Sequence, residues 1–175
     1  RGVNVLSSFP SSSYGRFSGT SMSTPVVTGI AALLTEQWRR TFSGATPAPA
    51  VLKTLIIAGA EDLGEPGPDY TYGFGMANAK ESVDLIIADD ATGRNIQVDS
   101  VATGAQIKVP LTLTTQQRLR GVLGWSEPEL VVFPDDGVAV GALVNDLDLK
   151  VIDPTGATVL PYVLDKDAPE AAATR

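Results

Sequence analysis

The stretch FSGTSMSTPVVTG, Phe17–Gly29, sets a serine among small residues at the mouth of an apolar run. The run continues as IAALLTEQWRR, with Val27, Ile30, Ala31, Leu34 and Trp38 at helical spacing. Its first charged side chain is Glu36, and Arg39 and Arg40 stand where they complement the negative end of a helix. A helix apolar on every side at its start is expected to be buried. Ser21 then has two readings. Serine and threonine cap helices by accepting from free N–H groups. The same free N–H groups and positive dipole end stabilise an oxyanion beside a nucleophile. Gly19 would let a substrate approach the backbone closely. Ser23, Thr24 and Gly29 keep the helix thin, and Pro25 falls in an early turn, where few intrahelical bonds exist to lose.

Outward from this helix, SGATPAPAVLKTLIIAG predicts a loop and a second helix, with Thr46 as N-cap, Pro47 in its first turn and Gly59 as its stop. A glycine-rich segment, YGFGMANAKESVDLII, leads into a third helix capped by Asn78. From about residue 94 the period changes to two. NIQVDSVATGAQIKVPLTLTT alternates apolar and polar residues, and LRGVLGWSEPE reads as a strand ending at Pro128. GALVNDLDLKVIDPTGATVLPYVL reads as a hairpin around the turn DPTG. Helices followed by strands imply two domains, residues 1–90 and 91–175, with the boundary near 87–95.

The chain has 175 residues, of which 43% are hydrophobic and 19% charged, as expected for a folded protein with a core. The net charge of −7 is spread evenly, −3 over residues 1–90 and −4 over 91–175. With no basic patch, nucleic acid is not the expected partner. No apolar run approaches the ~20 residues that span a membrane. The absence of cysteine excludes disulfides and thiolate metal sites. The opening on Arg1-Gly2 and the close on PEAAATR lead to the expectation of a fragment of a longer protein.

In 143–151, Leu143, Asn145, Leu147, Leu149 and Val151 would share one strand face, and Asp146, Asp148 and Lys150 the other. Two carboxylates on one face suit Ca²⁺, and equally a solvated surface. Asp135-Asp136-Gly137 and Asp165-Lys166-Asp167 read as turns. Trp125, Phe133 and Tyr162 fit strand packing better than a sugar-binding platform.

Several serine-enzyme patterns fail. The nucleophile elbow needs glycine where Ser23 stands, and Ser-x-x-Lys needs lysine where Thr24 stands. The segment SGTSMSTPVVTGIAALL instead resembles the active-serine signature of the subtilisin-like serine peptidases, usually Gly-Thr-Ser-Met-Ala-x-Pro-His-Val-x-Gly. Gly19, Thr20, Ser21, Met22, Pro25, Val27 and Gly29 match; Ser23 replaces the usual alanine and Val26 the usual, non-catalytic histidine. GVNVLSSFP…YGRFSGTS, VLKTLIIAGAEDLG and YGFGMANAKESVD extend the resemblance over residues 2–90.

The resemblance implies the C-terminal helical portion of a three-layer α/β domain with a parallel sheet. It implies an endopeptidase in which Ser21 is the nucleophile and its backbone N–H part of the oxyanion hole, helped by the Thr20 hydroxyl. The family's triad runs Asp, His, Ser along the chain. This chain has no histidine, and only 20 residues precede Ser21. The Asp, the His and the oxyanion-hole Asn are therefore expected upstream of Arg1, and Asn4 lies too near the serine to be that Asn. VLGWSEPE and ALVNDLDLKVIDPTG resemble an all-β jelly-roll-like sandwich appended to certain secreted members of the family, here incomplete. The implied partner is a protein or peptide substrate. No cofactor is needed for chemistry, calcium at Asp146 and Asp148 would be structural, and secretion is implied by the resemblance alone. The alternative is a non-catalytic module whose sandwich binds glycan, peptide or protein. A portion whose sheet lies elsewhere would expose apolar helix faces, and aggregation or a molten state in isolation is then expected.

Overall fold

The computed structural model describes residues 2–93, 95–112, 119–128 and 143–175. It opens with a hairpin, β1 (Val5–Phe9) and β2 (Ser13–Phe17), paired antiparallel with Val5 opposite Phe17 and Phe9 opposite Ser13. The Phe9 and Phe17 rings stack at 5.3 Å. Three helices follow: α1 (Thr20–Thr41), α2 (Pro49–Ala58) and α3 (Ala79–Thr92). A second, short antiparallel pair, β3 (Val151–Ile152) and β4 (Thr158–Val159), lies far along the chain.

The core is where the three helices meet. Ile30, Leu34 and Trp38, spaced four apart on α1, pack with Leu55 of α2 and Ile86 of α3. Leu34 and Ile86 are wholly buried. Trp38 and Phe42, with ring centroids 4.3 Å apart, extend this seam to the end of α1. The expected burial of the start of α1 does not hold: Val26 is 62% and Val27 38% exposed, and in the second half Leu33 is 52% exposed. The helical layer buries one seam of α1, and the apolar residues off that seam have no cover among the described residues.

Helix ends follow local chemistry. Asn78 caps α3 as expected, its side chain accepting from the Glu81 N–H at 3.2 Å. Gly93 ends α3 in the left-handed conformation. The start of α2 differs from the expectation of Thr46 and Pro47: Ala48 is the N-cap and Pro49 the first helical residue. Pro47 is buried, so packing holds that residue ahead of the helix. Ala48, preceding a proline, is extended with ψ 152°. Gly59 does stop α2, with φ −85°. Its role is spatial, because a Cβ there would overlap the Ser82 hydroxyl of α3.

The C-terminal half departs furthest from expectation. Within 95–112, 119–128 and 143–150 no described residue forms a strand, and no jelly-roll sandwich is assembled from the described residues. Phe133 and the Asp135-Asp136-Gly137 turn lie outside the described residues. Alternation gives a segment two faces, but a strand also needs a partner ladder. In 146–151 the alternation survives as burial: Leu147, Leu149 and Val151 are half-buried, while Asp146, Asp148 and Lys150 are exposed. The DPTG hairpin forms over two residues per strand. The Asp165–Asp167 turn also forms, with Asp165 Oδ1 accepting from the Asp167 N–H at 2.9 Å.

Asp153 organises the DPTG turn. Its Oδ1 accepts from the Thr155 N–H (2.8 Å), the Thr155 hydroxyl (2.7 Å) and the Ala157 N–H (2.9 Å). The Thr155 hydroxyl first, then the Ala157 and Thr155 amides, hold this carboxyl below its ordinary 3.8. A carboxylate depressed in the folded state stabilises above its unfolded pKa and loses that contribution as pH falls through the folded value. The β3–β4 pair is therefore expected to be intact at neutral pH and to loosen as pH falls below the ordinary carboxylate range. Amide exchange at Ala157 reads this. Asp153→Ala should show the loosened behaviour at every pH, and identical acid profiles for the two proteins would refute the assignment.

Candidate active site

The site begins with the way the hairpin meets α1. Gly19 is the N-cap of α1, with φ 156°, a conformation open mainly to glycine. Its N–H donates to the Gly2 carbonyl at 2.7 Å, and its own carbonyl accepts from the Met22 N–H at 3.1 Å. The Ser23 hydroxyl accepts from the Gly2 N–H at 2.8 Å. Gly2 is thus held between Gly19 and Ser23, so closely that a Cβ at residue 2 would lie 2.6 Å from the Ser23 amide nitrogen. Asn4 donates its N–H to the Ser18 hydroxyl at 2.9 Å, and Arg16 Nη1 donates to the Asn4 carbonyl at 2.9 Å. These bonds tie the base of the hairpin to the head of the helix.

Ser21 is the second residue of α1 and is exposed. It is not the cap: Gly19 holds that position and no side chain caps α1. Its hydroxyl makes no hydrogen bond to another described residue. Its N–H is among the first four of the helix, which have no intrahelical acceptor in α geometry. Pro25 has no N–H to give to the Ser21 carbonyl one turn back. Thr24 and Thr28 turn their hydroxyls onto the helix backbone, each donating to the carbonyl four residues earlier at 3.0 Å. Ser21, Thr24, Pro25 and Thr28 line an open cavity of about 470 Å³. Thr20 is exposed beside Ser21, Met22 is half-buried, and Gly29 faces open space.

The hydroxyl therefore stands at the positive end of a 22-residue helix, facing solvent, with free N–H donors next to it. Such a group can attack a carbonyl carbon and hold the resulting oxyanion, provided a base takes its proton. The chain has no histidine to do so.

Asp146 and Asp148 are both exposed. Among the described residues no three carboxylates converge into a metal site. Two exposed carboxylates fall short of the 6–8 oxygen ligands that Ca²⁺ takes, so the described residues do not fit a calcium cage. Sequence reasoning missed the Gly2–Ser23 bond, which joins residues 21 positions apart. It also missed Glu127, whose carboxylate joins the two C-terminal motifs by accepting from the Trp125 indole N–H (2.5 Å) and the Asn145 backbone and side-chain amides. No described helix is long and apolar enough to cross a membrane.

The hairpin is thus tied to a glycine-capped helix that bears an exposed serine. Comparison with known proteins finds that residues 2–75 match the model of the subtilase family of peptidases. An extracellular serine protease of Serratia marcescens is 40% identical over 70 residues, which are 40% of this chain and 6% of that protein. A C5a peptidase of Streptococcus pyogenes is 27% identical over 118 residues, 62% of this chain and 10% of that protein. The chain thus spans a tenth or less of the length of these curated relatives.

Proposed function

We propose that this chain is the serine-bearing part of a subtilisin-like endopeptidase that hydrolyses peptide bonds. The Asp and His of its triad would be supplied from upstream of residue 1. Ser21 Oγ attacks the scissile carbonyl as the histidine takes its proton. The oxyanion of the tetrahedral intermediate accepts from the Ser21 N–H, with the Thr20 hydroxyl in support. Gly19, Met22, Pro25 and Gly29 shape the helix head that presents the serine. Residues 1–90 belong to the peptidase domain and 91–175 to an appended β-sandwich. The substrate is a protein or peptide, and the protein is secreted, in keeping with the extracellular relative. The observation that carries this reading is the Ser21 hydroxyl, exposed and unbonded among the described residues at the head of α1.

A fluorophosphonate probe tests it, because such probes modify only an activated serine. A protein that joins this chain to its upstream Asp and His should be labelled at Ser21. The 175 residues alone should not be labelled and should show no triad-dependent proteolysis. A folded, complete protein that resists the probe would favour the non-catalytic module instead.

A further inference from the structure

The chain that follows α3 returns at four places to the helices and to the loop that joins α2 to α3. Asp89, exposed at only 7%, accepts at Oδ1 from the Asn95 and Ile96 N–H groups, at 2.8 and 2.9 Å. Ile96 then packs against the core. Arg120 Nη1 donates to the carbonyls of Ala58 (3.2 Å) and Ala60 (2.5 Å), at the C-terminal end of α2. Gly124 lies against the side of α2, where a Cβ would overlap the Thr54 hydroxyl and come within 3.7 Å of the Ala50 carbonyl. Tyr162 covers Gly67, with the Arg175 guanidinium 4.0 Å from its ring centroid.

The Arg120 contact answers a need that is visible in α2 itself. A helix ends with carbonyls that have no intrahelical donor and with partial negative charge. Cationic side chains in the last turn commonly meet both, but α2 has none there. A guanidinium offers several N–H donors in one plane and stays charged at any working pH, so it suits paired carbonyls. Here it arrives from 62 residues beyond Ala58.

We infer that residues 119–125 form a strap docked along α2, with Arg120 as a long-range cap of that helix and Gly124 as its point of closest approach. The surface is the side and C-terminal end of α2, and its partner is the chain's own later segment. Because Leu55 of α2 packs with Ile30 and Leu34 of α1, the strap also steadies the helix that carries Ser21. The inference rests on packing alone and stands whether or not Ser21 is a nucleophile.

Hydrogen exchange on the 175-residue chain tests it. In Arg120→Ala the amides at the end of α2 should exchange about tenfold faster, as expected for losing a charge-assisted bond. The amides around Ile86 in α3 should change less. Arg120→Lys should recover part of the protection, since the charge remains and the fork does not. Gly124→Ala should also expose α2, and Thr54→Ala, which removes the obstructing hydroxyl, should restore protection in the double variant. Such non-additivity is the mark of direct contact. The strap is overturned if Arg120→Ala leaves α2 unchanged, if α2 and α3 accelerate equally, if the Gly124 and Thr54 effects simply add, or if α2 is unprotected in the unaltered chain.

Discussion

On the reading proposed above, replacing Ser21 by alanine, in a protein that joins this chain to the proposed upstream histidine, is expected to lower kcat by about a millionfold, the loss known for the nucleophile of subtilisin itself. The physical basis is that the triad acts as a unit: without Oγ, the histidine has no proton to take and no covalent intermediate can form. KM should change little, because the serine hydroxyl adds little to ground-state binding. The helix should stay intact, since Gly19 caps α1 and no side chain closes that end. Circular dichroism unchanged from the parent, together with turnover reduced to the oxyanion-hole background, is the expected pair of results. Turnover within about tenfold of the parent would remove Ser21 from the chemistry.

The second large effect is on stability. Leu34 has no exposed surface and sits where α1 meets α2 and α3. Leu34→Ala removes buried methyl groups and leaves a cavity, at a cost of about 3 kcal/mol. Its neighbour Leu33 is 52% exposed, so Leu33→Ala should stay within about 0.5 kcal/mol of the parent. Urea midpoints of the two variants measure the contrast. Equal shifts would mean that the seam of Ile30, Leu34 and Trp38 is not the buried face of α1.

What the sequence made legible was local. The long apolar period of α1, the Asn78 cap and the glycine stop after α2 each depend on residues within a turn or two, and the structure has all three. The cap of α2 is ambiguous from sequence because Pro47 and Pro49 both suit a first turn; burial of Pro47, a tertiary fact, selects the second. The apolar first half of α1 implied burial that the described residues do not provide, since composition records the need for a cover and not its source. In the C-terminal half, Ile107, Val109 and Leu111 keep the alternation of strands while staying exposed and unpaired among the described residues. Ser21 was legible as a candidate because its motif is contiguous. The Gly2–Ser23 bond and the Arg120 cap join residues too far apart for any periodicity to reveal.

The grip of Ser23 and Gly19 on Gly2 also bears on the order of assembly. It closes a ring of chain between residues 2 and 23, and short loops cost little entropy to close. Contacts of low sequence separation form early and fast. On the reading proposed above, the nucleophile's cradle would be among the first parts of the peptidase to set, while the distant histidine would arrive by slow, long-range docking. A newly made chain would carry a finished serine and still be harmless to its own synthesis machinery.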